Sequence, residues 1–329
     1  MDPAVTSDQL TGVNPDHISI LNASLRSPSA HNAQPWKIKP LPDAKTYELH
    51  YDHNDYLPDD PDDRDAYLTM GAFVETIVLE APNYNLDVSV TPRLSRNGED
   101  LFVAEVSFSP RSAQARAEPL SSWVGKRSTN RNHYTKEPLT EELETSLKVL
   151  GNTLVEPKIL KDVLTEASMK SWDNPRFVRD LKIWYRDDLQ AEDGFTSPQM
   201  HLSRVDTLAL KFAFWRGRLK SKVLEKIYST RDVAMFTAAP KAAVLAADDM
   251  SPAALFDAGR RLLRSWVTIV AAGYVYHPFS IAIDEKSTAP KVAQLTRTPV
   301  PVALYRIGKS EKPPRTLSNR KPLKKVLIT

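Results

Sequence analysis

The ten residues Ser27-Pro28-Ser29-Ala30-His31-Asn32-Ala33-Gln34-Pro35-Trp36 constrain this chain more than any other stretch. Pro28 and Pro35 each lock φ and lack an N–H, so no helix can run through the segment. Between them Ser29, Asn32 and Gln34 concentrate hydrogen-bonding groups that a plain connector does not need. The stretch reads as a ligand-holding loop. A short helix precedes it, with Asn14 placed to cap, Pro15 suited to the first turn, and Ile18, Leu21 and Leu25 on one face.

Length and charge narrow the classes of chain that could carry such a loop. The 329 residues allow two units of ordinary domain size, and the 41% hydrophobic content supports real cores. A net charge of +3, from 44 basic and 41 acidic residues, gives no global field for nucleic acid or an anionic membrane. With no cysteine there are no disulfides, thiolate metal sites, iron–sulfur clusters or cysteine nucleophiles, so redox chemistry needs a cofactor. The ten glycines never form Gly-x-Gly, and neither His-Glu-x-x-His nor Gly-x-Ser-x-Gly occurs. Dinucleotide-domain, zinc-hydrolase and serine-hydrolase readings lose their support. Met1 to Leu10 carries Asp2 and Asp8 without a basic or apolar run, which is unlike a signal peptide, and no segment is apolar for the length of a membrane span. The expectation is a cytoplasmic protein with no membrane and no nucleic-acid partner.

In order along the chain, Lys37–Leu41 and Thr46–Tyr51 read as strands joined by a turn at Pro42-Asp43-Ala44. Asp52, Asp55, Asp59, Asp60, Asp62, Asp63 and Asp65, with His50 and His53, invite a metal reading. Pro58 and Pro61 interrupt them and no metal-loop spacing occurs. A turn supplying acid to the N-terminus of a helix from about Asp62 to Glu80 explains them better, and no metal is expected. Tyr67, Met70, Phe73, Val74, Ile77 and Val78 make that helix a buried one. Leu86–Thr91 and Leu101–Phe108 read as a hairpin through Asn97-Gly98, and the polar run Ser109–Glu118 as a crossing between halves.

The second functional stretch is Lys126-Arg127-Ser128-Thr129-Asn130-Arg131-Asn132-His133-Tyr134, ahead of a helix at Glu141–Leu150. Cations interleaved with hydroxyls and an amide suit a phosphate-bearing ligand. From Val155 to Trp215 helical patterns recur, clearest at Phe177, Leu181, Trp184 and Tyr185; Leu208–Trp215 and Val223–Met235 add more. His201 and His277, each alone beside apolar residues, read by default as satisfied structural groups.

The loop resembles the flavin-contacting Ser-Pro-Ser-x-x-Asn-x-Gln-Pro-Trp segment of the nitroreductase superfamily, departing from it at Ala30 and His31. The basic stretch resembles that superfamily's Arg-Arg-Ser-x-Arg segment, which grips the FMN phosphate and ribityl. Here the loop comes first and the basic segment second, an order that resembles the duplicated Acg-like branch, where one chain folds like a fused dimer around one flavin. Phe256–Pro278, with Gly259, Leu262, Leu263, Trp266, Ile269, Val270 and Gly273, resembles the family's long central helix and the Gly and Pro that follow it, and Phe73–Ala81 its counterpart. Val300–Ile307 with Gly308 resembles the late strand of the fold. Arg315, Arg320, Lys321 and Pro322 resemble a C-terminal signature whose cation reaches the phosphate.

The resemblance implies an α+β, nitroreductase-like fold of two pseudo-repeated halves, 1–118 and 119–329, with a helical lid at about 155–235 and a basic tail. It implies FMN as cofactor, held by Pro28, Ser29, Ala30, Asn32, Gln34, Lys126, Arg127, Ser128, Asn130, Arg131 and Arg320. Arg131 takes the catalytic role of tuning the flavin electrostatically, and Arg127 the phosphate or ribityl; a shift of one residue moves these tasks to Asn130 and Lys126. Trp184, Trp215, Arg216 and Tyr228 become candidates to face substrate, against a default of core or surface. The implied activity is that of a flavoprotein oxidoreductase moving a hydride through flavin N5 between NAD(P)H or an organic donor and a small organic acceptor. Flavin storage and an FMN-free pseudo-enzyme are the alternatives. The chain is expected as a monomer with pseudo-dimeric halves or as a homodimer.

Overall fold

Helix α1 (Pro15–Ser24) starts where Asn14 accepts a hydrogen bond from Asp16 N–H at 2.9 Å, and it delivers the chain into the Ser27–Trp36 loop. The computed structural model describes residues 14–57, 60, 62–98, 100–112, 118–216, 222–314 and 317–328, the side chains of 222–229 excepted. Met1–Leu10, Pro58, Asp59, Pro61 and Arg315, and the Tyr228 side chain, lie outside these described residues.

Beyond the loop come β1 (Trp36–Pro40), β2 (Thr46–Tyr51), α2 (Arg64–Glu80), β3 (Leu86–Asn97) and β4 (Asp100–Pro110). The four strands form one antiparallel sheet in the order β1-β2-β4-β3, with Trp36 opposite Tyr51 and Val90 opposite Val106. Both hairpin strands outrun the expected ends, because pairing across Gly98 (φ 61°) carries the ladder to Asn97 and Asp100. The acidic turn serves as anticipated. Asp60 accepts from Ala66 N–H at the start of α2, Asp52 pairs with Lys37, and Asp55 with Lys321.

The second half repeats the plan. After α3 (Glu141–Val149) come β5 (Asn152–Val155), four helices α4 (Lys161–Asp173), α5 (Pro175–Trp184), α6 (Arg204–Arg216) and α7 (Lys222–Thr237), then β6 (Lys241–Ala246) and α8 (Pro252–Ala271). β7 (Val275–Pro278), α9 (Ile281–Asp284), α10 (Ala289–Thr296), β8 (Pro301–Gly308) and α11 (Leu323–Val326) complete the chain. The second sheet is antiparallel in the order β5-β6-β8-β7, the same strand–strand–helix–strand–strand path as the first. The fold is thus α+β with two similar sheet-bearing halves. The α4–α7 insertion replaces the tight turn between β1 and β2. The stretch to Pro278 divides as its sequence suggests: Gly273 at φ 78° follows the end of α8, and Tyr276, ahead of Pro278, pairs with Ile307 as a strand.

The halves are joined along α2 and α8. At Gly71 a Cβ would come within 2.0 Å of the Phe256 carbonyl oxygen, and at Gly259 within 2.2 Å of the Leu68 carbonyl oxygen. The two backbones therefore touch where only glycine fits. Glu75 of α2, 1% exposed, accepts from Arg260 Nε at 2.6 Å and Arg264 Nε at 2.5 Å of α8. A single apolar core runs through both, from Trp36, Leu49 and Phe73 to Trp266, Tyr276 and Tyr305. The C-terminus closes the exchange: Ile328 N–H donates to the Ile38 carbonyl at 2.9 Å, binding the end of the chain to β1 of the first half.

Candidate anion and ring-ligand site

Three non-glycine residues of the loop, His31, Asn32 and Gln34, hold φ of 51°, 59° and 56°. Such backbone is costly for ordinary residues, at roughly 1–3 kcal/mol each, and persists only where neighbours impose it. Side chains of the loop supply the restraint. Gln34 Nε2 donates to the Glu192 carbonyl at 2.8 Å and its Oε1 accepts from Lys321 N–H at 2.9 Å. Asn32 Nδ2 donates to the carbonyls of Gly194 at 3.0 Å and Asn319 at 3.2 Å. Ser29 Oγ accepts from Gln34 N–H at 3.1 Å, while Pro28 and Ala30 are half-buried. The amides that looked like ligand donors are therefore committed to protein carbonyls, and they fasten the α4–α7 insertion and the C-terminal tail to the loop. Asn32 Oδ1 is buried and has no donor among the described residues.

The basic segment runs beside β7, where Asn130 N–H donates to the Tyr276 carbonyl at 3.0 Å. It sorts its side chains sharply. Lys126 is exposed, its ammonium 4.2 Å from the centre of the Trp123 ring, and does not join the other cations. Arg127 is buried and donates to Tyr276 Oη at 2.6 Å and to the Arg26 carbonyl at 2.8 Å. Ser128 is half-buried. Asn130, 1% exposed, spends its amide on the Lys312 carbonyl and its Oδ1 on Asn132 N–H. Arg131 reaches the Gln199 carbonyl at 3.4 Å and leaves Nε buried without a partner; Arg320 contacts the carbonyls of Ser318 and Asn319, and its Nε is likewise unpaired.

Tertiary structure adds partners that sequence did not single out. Arg306, 1% exposed, donates to the carbonyls of Met235 and Asn132, each at 2.9 Å, and lies 4.1 Å from the centre of Tyr134. Its Nε is 3.3 Å from His277 Nδ1, an arrangement that makes Nδ1 the acceptor and puts the neutral ring's proton on Nε2. Among the described residues, Arg127, Arg131, Arg306 and Arg320 form no ion pair. Burial pushes Arg131 down to about 10, with Arg306 adding to the fall. Burial and the charges of Arg127 and Arg26 push Arg320 down to about 9. His277 is driven well below its usual range by burial, Arg131, Arg306 and His201. The Asp232 carboxylate offsets part of the charge of Arg131 and Arg306 from beyond ion-pair distance; enclosed cations so weakly compensated are costly, and a bound anion lowers that cost.

The cations form two groups. Arg127 and Arg26 act on Arg320 beside a cleft of about 590 Å³ lined by Arg26, Arg320, Asn22, Gln190, Asn319 and Glu192, whose carboxylate is paired with Lys325. Arg131 and Arg306 act on one another farther along the segment, and both act, with His201, on the neutral His277. Tyr276 lies between, bonded to Arg127 and sensing Arg131. His277 and His201, read singly as structural, thus belong to a cationic cluster. His31 faces the same region. It is enclosed enough for burial, assisted by Arg131 against Asp65, to push it down to about 4, yet a quarter of its side chain (25%) stays open. Its Nε2 is 3.7 Å from Asp180 of α5, and Phe195 packs 5.4 Å away, centre to centre. Trp184 is buried in the insertion's own core, while Trp215 and Arg216 point outward, so the default readings hold for them.

No family model and no curated protein matches the chain. Among solved structures it is similar to the FMN-dependent nitroreductase NfnB from Mycobacterium smegmatis in complex with NADPH, at 13% identity over 63% of this chain and 96% of that one, with a TM-score of 0.39. It is also similar to the FMN and NADPH-dependent nitroreductase NfnB from Sphigopyxis sp. strain HMH, at 15% identity over 64% and 98%, again with a TM-score of 0.39. Overlaps this loose assign neither ligand nor reaction to this chain. Those have to come from its own residues.

Proposed function

We propose that the chain is a nitroreductase-like flavoprotein of the duplicated Acg-like kind, an FMN-dependent oxidoreductase acting on small molecules. The observation that carries this reading is the set of guanidiniums that form no ion pair among the described residues, Arg127 and Arg306 buried and Arg131 and Arg320 half-buried, divided into two groups by Tyr276. An elongated ligand with a phosphate at one end and carbonyl acceptors at the other relieves both groups at once. Arg26, Arg127 and Arg320 suit the phosphate; Arg131, with His277 and Arg306 behind it, suits the acceptor edge of the ring; Asn32 Oδ1 suits a ring N–H. FMN bound there supplies hydride chemistry at N5. Arg131 favours negative charge on the pyrimidine edge, and the α4–α7 helices, tied to the loop through Gln34 and Asn32, limit the entry of water and reactants. NAD(P)H or an organic donor and a small organic acceptor take turns at the site.

An absorption spectrum of the purified protein, followed by titration of the stripped protein with FMN and riboflavin, tests the reading. FMN should bind at least about tenfold more tightly than riboflavin, the scale of one charge-assisted hydrogen bond. A protein that shows no flavin bands and takes up no FMN overturns it. A bound flavin that light reduces but neither NADH nor NADPH bleaches identifies a storage protein instead.

A further inference from the structure

Helix α6 is apolar on two sides. Leu210 and Phe214 face inward and pack in the cluster that holds Trp184 and Phe195, and Ala213 beside them is buried. Val205, Leu208, Phe212 and Trp215 are 74%, 69%, 51% and 74% exposed. Their spacing of three, four and three residues puts them on one stripe along the outer face. A stripe of this size and composition needs a second partner, since large exposed apolar patches mark interaction surfaces.

The charges around the stripe identify the kind of partner. The Arg216 guanidinium lies 5.6 Å from the centre of Phe212 and 5.0 Å from that of Trp215, so a cation rides on the apolar stripe itself. On the described helix Arg204 and Arg216 are exposed, and Lys211 pairs with Asp187 at 2.5 Å. Asp206 is already paired with Arg231. In sequence the stretch 204–226 carries seven basic residues against two acidic, a surplus of five.

We propose that the outer face of α6 docks on an anionic lipid surface, with Val205, Leu208, Phe212 and Trp215 entering the headgroup–acyl boundary and Arg204 and Arg216 meeting lipid phosphates. Aromatic and aliphatic side chains flanked by arginine and lysine are the composition of a helix lying in that interface. A second copy of this face would set its cations against their own counterparts, which disfavours self-pairing. Among the described residues no helix is long and apolar enough to cross a membrane, so the contact is one of surface.

The cysteine-free chain permits a direct test. Leu208→Cys, carrying an environment-sensitive fluorophore, is mixed with vesicles of phosphatidylcholine alone or with an equal part of phosphatidylglycerol, and binding is also read by co-sedimentation. The expected result is a blue shift and sedimentation with the anionic vesicles only, weakened by salt. A Phe212→Ser/Trp215→Ser double variant, whose circular dichroism confirms folding, should bind about tenfold less or weaker still. Absence of sedimentation with anionic vesicles overturns the proposal, as does equal binding by the double variant. A concentration-dependent dimer that the double variant abolishes, without vesicle binding, overturns it in favour of a second copy.

Discussion

Arg127 and Lys126 are adjacent in sequence, and burial separates them. Arg127 is enclosed and held by Tyr276 and the Arg26 carbonyl, whereas Lys126 lies on Trp123 in solvent. Arg127→Ala should therefore weaken FMN binding by about 1.5–3 kcal/mol and riboflavin binding little. Lys126→Ala should change FMN binding by less than about 0.5 kcal/mol; calorimetric titration of both variants decides, and equal losses would move the anion site toward Lys126. His31 gives a pH dependence. Its folded value of about 4 lies below its ordinary 6.5, so between these values the unfolded chain binds the proton and the native protein does not. Stability from this group is complete above pH 6.5 and falls as the pH drops toward 4. From the shift, the loss at pH 5 is about 2 kcal/mol, and His31→Gln should remove that part of the difference between urea midpoints measured at pH 7.5 and 5. An unchanged difference would show that His31 is not enclosed as described.

Between elements, the loop acts as a fastener. Gln34 bonds to residues 192 and 321, and Asn32 to 194 and 319, so one turn of chain holds two distant segments. Gln34→Ala should raise hydrogen exchange at 192–194 and 319–321 while α2 and α8 stay protected. Faster exchange throughout would mean the loop supports the global fold instead. The α2–α8 junction is the opposite case. Gly71→Ala puts a methyl 2.0 Å from the Phe256 carbonyl, where neighbouring backbone must shift, and a loss of about 3 kcal/mol or more is expected in urea unfolding. A loss below about 1 kcal/mol would show that the helices can part cheaply.

Across the whole molecule the two halves share one core, yet they are not functionally equivalent. The loop motif occurs only in the first and the basic motif only in the second, so on the proposed function the repeated fold would build a single cradle. The stripped protein should accordingly take up one FMN per chain; two, measured by absorbance after heat release, would require a second set of contacts that neither motif supplies.

Much of the frame was legible in the sequence because local chemistry decides it. The Asn14 cap, the Thr46–Tyr51 alternation, the turn at Gly98 and the apolar face of α2 each follow from a few neighbouring residues, and the loop and basic stretch stood out for the same reason. β6 did not, since Lys241-Ala242-Ala243-Val244-Leu245-Ala246 has no period of two and becomes a strand through pairing on both edges. The cationic cluster was hidden for a deeper reason. His277 and Arg306 lie on adjacent strands, His31 and Arg131 in separate segments, and Asp180 on an inserted helix, so their proximity exists only after the sheets pair and the insertion packs down. Sequence by itself determined which residue types and turns were available. Tertiary structure decided which charges would be enclosed together, because burial and distance, which set electrostatic cost, are properties of the packed chain.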